Sequence, residues 1–350
     1  MMINLPVWRF IGIFAAAYVG TRLLVPLNIR FSQTKGIMAM PNDRSIHSVP
    51  VPTAGGLSFG LVIILLQVIW GLINLENEYG ASLIKLALIS LLVIALGLFD
   101  DKYKSRVRYK LLGQVMITLL MFHAGYKVTY LTNPLGENFF LGSLSLPVTI
   151  IWFLLTMNAI NLIDGLDGLA SGITCIVSVV LAVTGMLSKN PLVLILAAIL
   201  LGTNLAFLKY NFFPARIFMG DTGSLLIGLN IAAISSAGNT TFKGITTMTL
   251  MVPIIAMAIP IIDTSLAVFR RIGKGSIFRA DKAHLHHYLL KLGLSQPTIA
   301  LITYFITCLF GLAAIGFSFS SKKILFSLVV LLMAILIVLA YYLIHKGQKE

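Results

Sequence analysis

Residues 81–110 read ASLIKLALISLLVIALGLFDDKYKSRVRYK, and they contain the pattern that decides the fold. The stretch 81–99 is almost wholly apolar, and it is followed at once by Asp100, Asp101 and a run of basic residues. An apolar run of about 20 residues is long enough to cross the hydrocarbon core of a bilayer as a helix. The pattern therefore predicts a membrane helix that ends at a charged surface.

The composition of the whole chain is typical of a protein surrounded by membrane lipid. Of its 350 residues, 58% are hydrophobic and 11% are charged, and the mean hydropathy is +0.96. Soluble domains contain about 25% charged residues, so we predict an all-α polytopic membrane protein. The net charge of +14 does not indicate a nucleic-acid partner, because Lys and Arg accumulate in the cytoplasmic loops of membrane proteins.

Apolar runs recur along the chain and predict about eleven transmembrane helices in a single catalytic domain, 1–350. The first run lacks a signal-peptide cleavage pattern and is expected to be an anchor helix. The runs lie at 4–27, 54–75, 81–99, 111–130, 147–163, 172–188, 192–208, 223–237, 245–269, 298–318 and 324–344.

Basic residues are concentrated in alternate loops, which predicts the orientation. The positive-inside rule places the basic loops in the cytoplasm, so eleven spans put the N-terminus outside and the C-terminus in the cytoplasm. On the other side, the alternating residues of 125–146 predict a small external hairpin. The predicted cytoplasmic loops lie at about 28–53, 100–110, 164–171, 209–222 and 270–297.

The acidic residues are few, and three groups of them fall on the predicted cytoplasmic side. They are Asp100 with Asp101, Asp164 with Asp167 in NAINLIDGLDGLASG, and Asp221 in FMGDTGS. One carboxylate alone would be explained as a helix cap. Three groups beside Gly, Asn and Lys indicate a functional site, because ionisable residues are costly at a membrane.

These segments contain the components of a metal and pyrophosphate site. Mg²⁺ takes one or two carboxylates together with substrate phosphates and water. Asn158 and Asn161 are three residues apart and share a helical face, and GDTGS opens a helix whose N-terminal amides attract anions. The basic run that ends at Lys110 could hold phosphates. We therefore expect Mg²⁺, with Mn²⁺ as an alternative, at the cytoplasmic surface.

Five segments carry a resemblance to a known family and occur in the family's order. They are PNDRSIHSVPVPTAGG at 41–56, DDKYKSRVRYK at 100–110, NAINLIDGLDGLASG at 158–172, FLKYNFFPARIFMGDTGS at 207–224 and DKAHLHHYLLKLG at 281–293. On these segments, over about residues 40–295, the chain resembles the polyprenyl-phosphate N-acetylhexosamine-1-phosphate transferases. The HLHH pattern and the PNDRSIH opening are similar to the branch that uses GlcNAc-phosphate.

The resemblance implies roles for the metal- and substrate-binding residues. Asp221 matches the main Mg²⁺ ligand, and Asn161 matches an asparagine that helps to hold the metal or the pyrophosphate. Asp167 and Phe218 match positions that hold the uracil ring. The full set assigned to substrate binding is Asn158, Asp164, Asp167 and Phe218.

The residues assigned to catalysis lie in two of the same segments. Asp100 and Asp101 match the acidic pair of the family, and Lys110 matches a lysine that contacts the pyrophosphate. The histidines resemble a loop that closes over the sugar and phosphate. Lys104 stands where many relatives have a third Asp, so we leave it out of the site. The catalytic set is Asp100, Asp101, Lys110, His284, His286 and His287.

The reaction implied is the transfer of GlcNAc-1-phosphate from UDP-GlcNAc to undecaprenyl phosphate, which gives undecaprenyl-diphospho-GlcNAc and UMP. It would be the first membrane step of a cell-envelope polysaccharide such as teichoic acid or O-antigen, at the bacterial cytoplasmic membrane. Another UDP-N-acetylated sugar is the alternative donor, and a homodimer would match the relatives. Asp100 or Asp101 removes a proton, orients the lipid phosphate or assists the metal, or else one of them forms a covalent phospho-enzyme.

Two other classes of membrane protein compete with this interpretation. A secondary transporter would have a similar number of helices, but its polar residues should lie near the bilayer midplane. A CDP-alcohol phosphotransferase also uses Asp and Gly at a membrane surface, but it keeps its aspartates within one continuous stretch. Here the acidic groups are dispersed over separate loops near helix ends, which favours the transferase.

Overall fold

The protein is described here by a computed structural model. It covers residues 6–41, 49–131, 139–237, 251–273, 289–290, 292–316 and 330–334, and at 251–252 and 267–273 it gives the backbone alone.

Helices account for most of the described chain. They follow the predicted apolar runs, except that the run at 245–269 is divided at Met257 into two helices. In chain order they are α1 (Val7–Thr34), α2 (Gly56–Ile73), α3 (Glu78–Tyr103), α4 (Val107–His123), α5 (Ser145–Ile163), α6 (Leu169–Leu187), α7 (Pro191–Asn211), α8 (Gly220–Ala237), α9 (Met251–Ala256), α10 (Ala258–Gly273) and α11 (Gln296–Gly316).

Seven of the described helical segments are long and apolar enough to cross a membrane. This finding confirms the prediction of an all-α polytopic membrane protein. The number of spans stays a prediction. The predicted runs at 111–130 and 223–237 correspond to α4 and α8, which are not among the seven segments, and most of the last predicted run, 324–344, lies outside the described residues. The seven segments are Val7–Thr34, Gly56–Ile73, Glu78–Tyr103, Gly142–Ile163, Leu169–Leu187, Pro191–Asn211 and Gln296–Gly316.

The helix α8 lies at the centre of the bundle, in contact with α2, α3, α5 and α7. Every residue from Thr222 to Ala237 is buried. Two glycines allow this packing, because a Cβ at Gly56 in α2 would overlap the backbone of Gly223, and a Cβ at Gly97 in α3 would overlap that of Thr222. Small residues at such crossings let membrane helices approach closely. The first turn of α8 therefore packs in close contact with the end of α3.

Neutral polar side chains link α8 to its neighbours farther along the helix. Gln67 of α2 donates from Nε2 to Oδ1 of Asn230 at 2.7 Å, and Trp152 of α5 donates from Nε1 to Oγ of Ser235 at 2.8 Å. Such bonds between membrane helices contribute on average about 0.6 kcal/mol each. They align the helices that carry the polar residues of the site.

Within the described residues, two short antiparallel strand pairs lie between helices. Tyr130–Leu131 (β3) pairs with Phe139–Phe140 (β4), which confirms the hairpin predicted within 125–146. Met38–Ala39 (β1) pairs with Val51–Pro52 (β2), a hairpin that the sequence did not reveal. The second hairpin is joined to the segment before α8, because Phe218 donates its N–H to the Pro52 carbonyl at 2.8 Å.

Candidate active site

The polar residues predicted for the site come together at one end of the helix bundle. Asp100 and Asp101 lie in the last turn of α3, and Lys110 lies in the first turns of α4. Asn161 lies in the last turn of α5, and Asp221 lies in the first turn of α8. Four helix ends therefore meet at this point.

Asp221 is at the centre of a polar cluster. It forms an ion pair with the Lys110 ammonium, and its Oδ1 accepts a hydrogen bond from Nδ2 of Asn161 at 2.8 Å. Asn161 Nδ2 also lies 2.9 Å from Oγ of Ser224, and Asn161 Oδ1 accepts from Lys110 Nζ at 3.3 Å. The structure therefore brings Asp221, Asn161 and Lys110 into direct contact.

Asp100 lies on the other side of the Lys110 ammonium. Its Oδ2 is 3.7 Å from Lys110 Nζ, while its Oδ1 accepts hydrogen bonds from the N–H and the hydroxyl of Ser105. Lys104 ends α3 in the left-handed conformation, at φ 49°, and donates its N–H to the Asp100 carbonyl at 2.8 Å. This turn reverses the chain between α3 and α4, so Asp100 and Lys110 face each other.

Asp101 points in a different direction from its neighbour, toward the start of α8. Its Oδ1 accepts the Asp221 N–H at 2.8 Å, and its Oδ2 accepts the N–H and the hydroxyl of Thr222 at 3.1 and 2.6 Å. The sequence predicted that the N-terminal amides of this helix would attract an anion. In the structure, the anion at two of these amides is the Asp101 carboxylate of the protein itself.

A cavity of about 690 Å³ opens beside the cluster. Its volume lies within the range of roughly 300–1,000 Å³ that is usual for small-molecule sites. Asp167 is held on its wall, where Oδ2 accepts the Ala215 N–H at 2.9 Å. The residues that line the cavity include Asp101, Lys104, Asn161, Asp164, Gly165, Leu166, Asp167, Phe213, Pro214, Ala215, Phe218, Gly220 and Asp221.

Acidic side chains outnumber basic ones on the part of the cavity wall that the structure describes. Among the described residues, the lining includes four carboxyl groups, those of Asp101, Asp164, Asp167 and Asp221, and one lysine, Lys104. Sequence reasoning left Lys104 out of the site, although a basic residue so soon after the acidic pair was a signal that could have included it. Ionised carboxylates on a cavity wall repel an anionic ligand, and a bound cation would offset that repulsion.

Asp164 has an altered acidity in this environment. Burial raises the pKa of the Asp164 carboxyl well above its ordinary value, the negative charge of Asp101 acts in the same direction, and the Gly220 N–H opposes them. Desolvation disfavours the charged form of a carboxyl group. Asp164 therefore favours its protonated form, which can donate a hydrogen bond into the cavity.

The oxygen atoms around Lys110 fit a hard divalent cation. Oδ2 of Asp221, Oδ1 of Asn161 and Oδ2 of Asp100 all face the Lys110 ammonium, and these are the ligand types that Mg²⁺ takes. Among the described residues, three or more His, Cys, Asp or Glu side chains do not gather into a metal-binding group. An ion here would therefore need amide, water and phosphate ligands as well as carboxylates, and Mg²⁺ accepts such a mixed set.

Parts of the predicted site are not in the cavity lining of the described residues. Asp100 and Lys110 belong to the neighbouring polar cluster but are not in the lining. Asn158 lies deeper in α5, where its Nδ2 donates to Oε1 of Gln114 at 2.8 Å and to the Leu154 carbonyl at 2.7 Å. The cavity lining of the described chain does not include it. The three histidines, His284, His286 and His287, lie outside the described residues.

The region of the chain that contains the polar cluster is similar to a known protein family. Residues 83–239 match the family described as Glycosyl transferase family 4. This region contains Asp100, Asp101, Lys110, Asn161 and Asp221, so the match covers the whole of the polar cluster.

Individual relatives are similar over most of their length. The chain is 35% identical to a probable undecaprenyl-phosphate N-acetylglucosaminyl 1-phosphate transferase of Bacillus subtilis, over 88% of this chain and 84% of the relative. It is 31% identical to a decaprenyl-phosphate N-acetylglucosaminephosphotransferase of Mycobacterium leprae, over 76% and 73%. It is also 32% identical to a phospho-N-acetylmuramoyl-pentapeptide-transferase of Caldicellulosiruptor bescii, over 76% and 82%. The chain therefore belongs to the family of polyprenyl-phosphate hexosamine-1-phosphate transferases.

Proposed function

We propose that this enzyme transfers GlcNAc-1-phosphate from UDP-GlcNAc to undecaprenyl phosphate, with undecaprenyl-diphospho-GlcNAc and UMP as products. The observation that carries the proposal is the cluster of Asp221, Asn161, Lys110 and Asp100 beside a cavity of about 690 Å³. Two of the relatives reported above are named for N-acetylglucosamine, which supports this sugar. The reaction would begin the assembly of a cell-envelope polysaccharide such as teichoic acid or O-antigen.

The donor would bind in the cavity through its uridine and diphosphate groups. Asp167 and Phe218 are on the cavity wall, in keeping with the uracil-binding roles that the family resemblance implies for them. The diphosphate would lie toward Asp221, where Lys110 carries a positive charge. Because carboxyl groups line the described part of the cavity, additional positive charge there would favour binding of the donor phosphates.

A Mg²⁺ ion, with Mn²⁺ as an alternative, would be held by Asp221 and Asn161 with the participation of Asp100. When bound, it would supply positive charge that stabilises the phosphoryl group during transfer. The protein's own contribution is to orient these oxygen atoms through Lys110 and Ser105, each of which contacts a carboxylate of the cluster.

The proposed reaction exchanges one phosphorus–oxygen bond for another. A phosphate oxygen of the lipid attacks the β-phosphorus of the donor, the bond from this phosphorus to the bridging oxygen breaks, and UMP leaves with the electron pair. The bond between sugar C1 and its oxygen is not cut, so the anomeric configuration is retained. The lipid phosphate has a second pKa near 6, so at neutral pH it is mostly dianionic and needs no strong base. Positioning and charge neutralisation then supply most of the catalysis.

We also propose that the site faces the cytoplasm, with the N-terminus outside. The described helix ends that form the site carry Lys35, Lys102, Lys104, Arg106 and Lys209, whereas the opposite ends carry few basic residues. The positive-inside rule supports this orientation. It also matches the substrates, because a nucleotide sugar is soluble in the cytoplasm while the acceptor is anchored in the bilayer.

Purified full-length protein in detergent with undecaprenyl phosphate would test the function against a panel of donors. The donors are UDP-GlcNAc, UDP-GalNAc and UDP-N-acetylmuramoyl-pentapeptide, and the readouts are UMP release and the mass of the lipid product. We expect product from UDP-GlcNAc in a reaction that requires Mg²⁺. Product from the pentapeptide donor alone would overturn the choice of sugar. No UMP from any donor would overturn the proposed function and would favour the transporter.

A further inference from the structure

Three neutral amide side chains line the described part of the cavity, and they differ in what they contact. Asn161 is bonded within the polar cluster. Asn211 donates from Nδ2 to the Ile217 carbonyl at 3.0 Å, and its Oδ1 accepts from the Ser171 hydroxyl at 3.0 Å. Gln296, at the start of α11, is half-buried, and no group of the described residues bonds to its side-chain amide. The Gln296 amide is therefore available to a ligand.

The first turn of α11 fixes the place of Gln296. The Ile299 N–H donates to the Ser295 carbonyl at 3.0 Å, and the Thr298 N–H donates to the Ser295 hydroxyl at 3.4 Å. Serine is favoured just before a helix, because its side-chain oxygen can accept from the free N–H groups of the first turn. Ile299 is fully buried. The backbone that carries Gln296 is therefore held both by the start of the helix and by the packing beneath it.

The helix α11 is joined to the loop that carries Asp167. The Tyr304 hydroxyl donates to the Gly168 carbonyl at 2.6 Å, and Gly172 leaves space for the Tyr304 ring, which a Cβ at Gly172 would overlap. Gln296 and Tyr304 are eight residues apart and lie on one stripe of the helix, about 12 Å apart along its axis. Because α11 packs on α6, Gln296 lies on the same side of the cavity as Asp167.

The chemistry of the amide indicates which part of a nucleotide sugar it would contact. The ion pair of Asp221 and Lys110 is formed by α8 and α4, whereas α11 packs on α6, α9 and α10. With the donor diphosphate at the ion pair, the nucleoside would lie toward Asp167 and Gln296. A primary amide offers both N–H donors and a carbonyl acceptor, and the uracil edge and the ribose hydroxyls offer the complementary groups. The neutral Gln296 amide therefore fits the nucleoside better than a phosphate.

We infer that Gln296 binds the nucleoside part of the donor nucleotide and contributes to the affinity of the site for it. The inference rests on the proposed function, since it concerns the same cavity. Gln296 lies outside the residues 83–239 that match the family, and it follows the last of the five motif segments. Only its place on the cavity wall points to this role.

The variant Gln296→Met tests the inference, because methionine is similar in length to glutamine but lacks the hydrogen-bonding amide. Gln296→Glu is a second variant, which adds a carboxylate to a lining whose described part already contains four carboxyl groups. Gln33→Met is the matched control, since Gln33 is an exposed glutamine in the last turn of α1 and is not in the described lining. For each full-length protein in detergent, the Kd of UMP is measured by isothermal titration calorimetry, and KM and kcat are measured with UDP-GlcNAc.

We expect Gln296→Met to raise the Kd of UMP and the KM of UDP-GlcNAc by the same factor, roughly 2- to 10-fold, which is the scale of one hydrogen bond. The value of kcat should stay within about twofold, because a contact that is equal in the ground state and the transition state changes KM alone. Gln296→Glu should raise both constants further, since UMP is an anion. Gln33→Met should change none of the three quantities.

Three results would overturn the inference. The first is a Gln296→Met protein that binds UMP with the wild-type Kd, and a raised KM for UDP-GlcNAc in the same protein would then assign Gln296 to the sugar. The second is a lowered kcat with unchanged KM, which would indicate a role in the transition state and not in nucleoside binding. The third is an equal loss of UMP affinity in Gln33→Met. The proposed function is judged separately, by whether the wild type forms the lipid product, and UMP binding that depends on Gln296 would stand even without that product.

Discussion

The first turn of α8 and the remainder of the same helix both bury polar groups, but they do so in different ways. At the first turn, Asp221 pairs with Lys110, and Asp101 binds the helix amides. Farther along, the links to neighbouring helices are neutral, between Asn230 and Gln67 and between Ser235 and Trp152. One end of α8 carries charge beside a cavity, and the other carries neutral bonds inside a packed core.

This difference shows how charge and packing are separated in the fold. An ionised side chain inside a membrane protein is costly and is therefore kept where it serves a ligand. A neutral amide or hydroxyl costs less to bury and can align helices in the core. If the comparison is right, variants of the first turn should change activity strongly, whereas variants of the core pairs should change stability and leave activity nearly intact.

Removal of the central carboxylate should have the largest effect. We expect Asp221→Ala to lower kcat/KM by roughly 10³-fold or more, because the stabilisation that a bound metal ion gives to transferring charge amounts to several kcal/mol and each 1.36 kcal/mol is a factor of ten. The measurement is UMP release from UDP-GlcNAc with saturating undecaprenyl phosphate. Activity within tenfold of the wild type would contradict the central role of Asp221.

Removal of the Lys110 ammonium should have the next largest effect on activity. We expect Lys110→Met to lower kcat by about 10²-fold, which is typical when one preorganised charged or polar partner of a transition state is lost. The matched control is Lys209→Met, which removes an exposed lysine at the same end of the bundle. If both variants lost the same activity, the effect would belong to the overall positive charge of this surface and not to the contact with Asp221.

The substitution Asp164→Asn should raise the stability relative to the wild type as the pH rises, and it should lower the activity. Because its folded-state pKa is raised, folding takes up a proton, and the wild type loses stability as the pH rises from the unfolded pKa near 3.9 toward the raised value. Asp164→Asn cannot titrate, so its melting temperature relative to the wild type should increase between pH 5 and pH 8. Its activity should fall about tenfold, since one hydrogen-bonding group of the cavity is altered.

Thermal melting of the wild type and Asp164→Asn in the same detergent, at several pH values, measures this difference. Asp167→Asn provides a comparison in the same loop, at a carboxylate bonded to the Ala215 N–H. A melting-temperature difference that is independent of pH would show that Asp164 does not take up a proton on folding.

The core pair should show the smallest effect on activity. We expect Gln67→Met and Asn230→Leu, singly or together, to keep kcat/KM within about threefold, because the pair lies inside the bundle and both residues are fully buried. Each single variant should lower the free energy of unfolding by about 1–2 kcal/mol, since it leaves a buried partner unsatisfied. The double variant should recover part of this loss. A large fall in activity without a fall in stability would mean that the core contact also serves the reaction.

Much of the architecture could be predicted from the sequence. An apolar run such as 81–99 is stable in lipid as a helix, because a helix satisfies every backbone hydrogen bond internally. The predicted run at 223–237 is observed as Gly220–Ala237, and the hairpin within 125–146 is observed. The hairpin of β1 and β2 was missed because each strand has only two residues and gives no detectable alternation.

Less of the site could be predicted, although most of its residues were. Asp221, Asn161 and Lys110 were named, and the structure joins them. The exposed lysine Lys104 was excluded, yet it lines the cavity. Asn158 was assigned to substrate binding on its spacing from Asn161, but helical spacing does not say how deep a residue lies, and its amide bonds to Gln114.

The sequence by itself determined that the chain is helical, that it lies in a membrane and that its acidic residues are at helix ends. These conclusions follow from local properties, namely the length of each apolar run and the position of each charge within it. Only the tertiary structure decided which of two adjacent aspartates faces the helix amides and which faces the lysine. Neighbouring side chains on a helix point about 100° apart, so their roles depend on which other helices pack on each side. That packing depends on Gly97, one turn earlier in the same helix, and on Gly56 and Gln67 in α2.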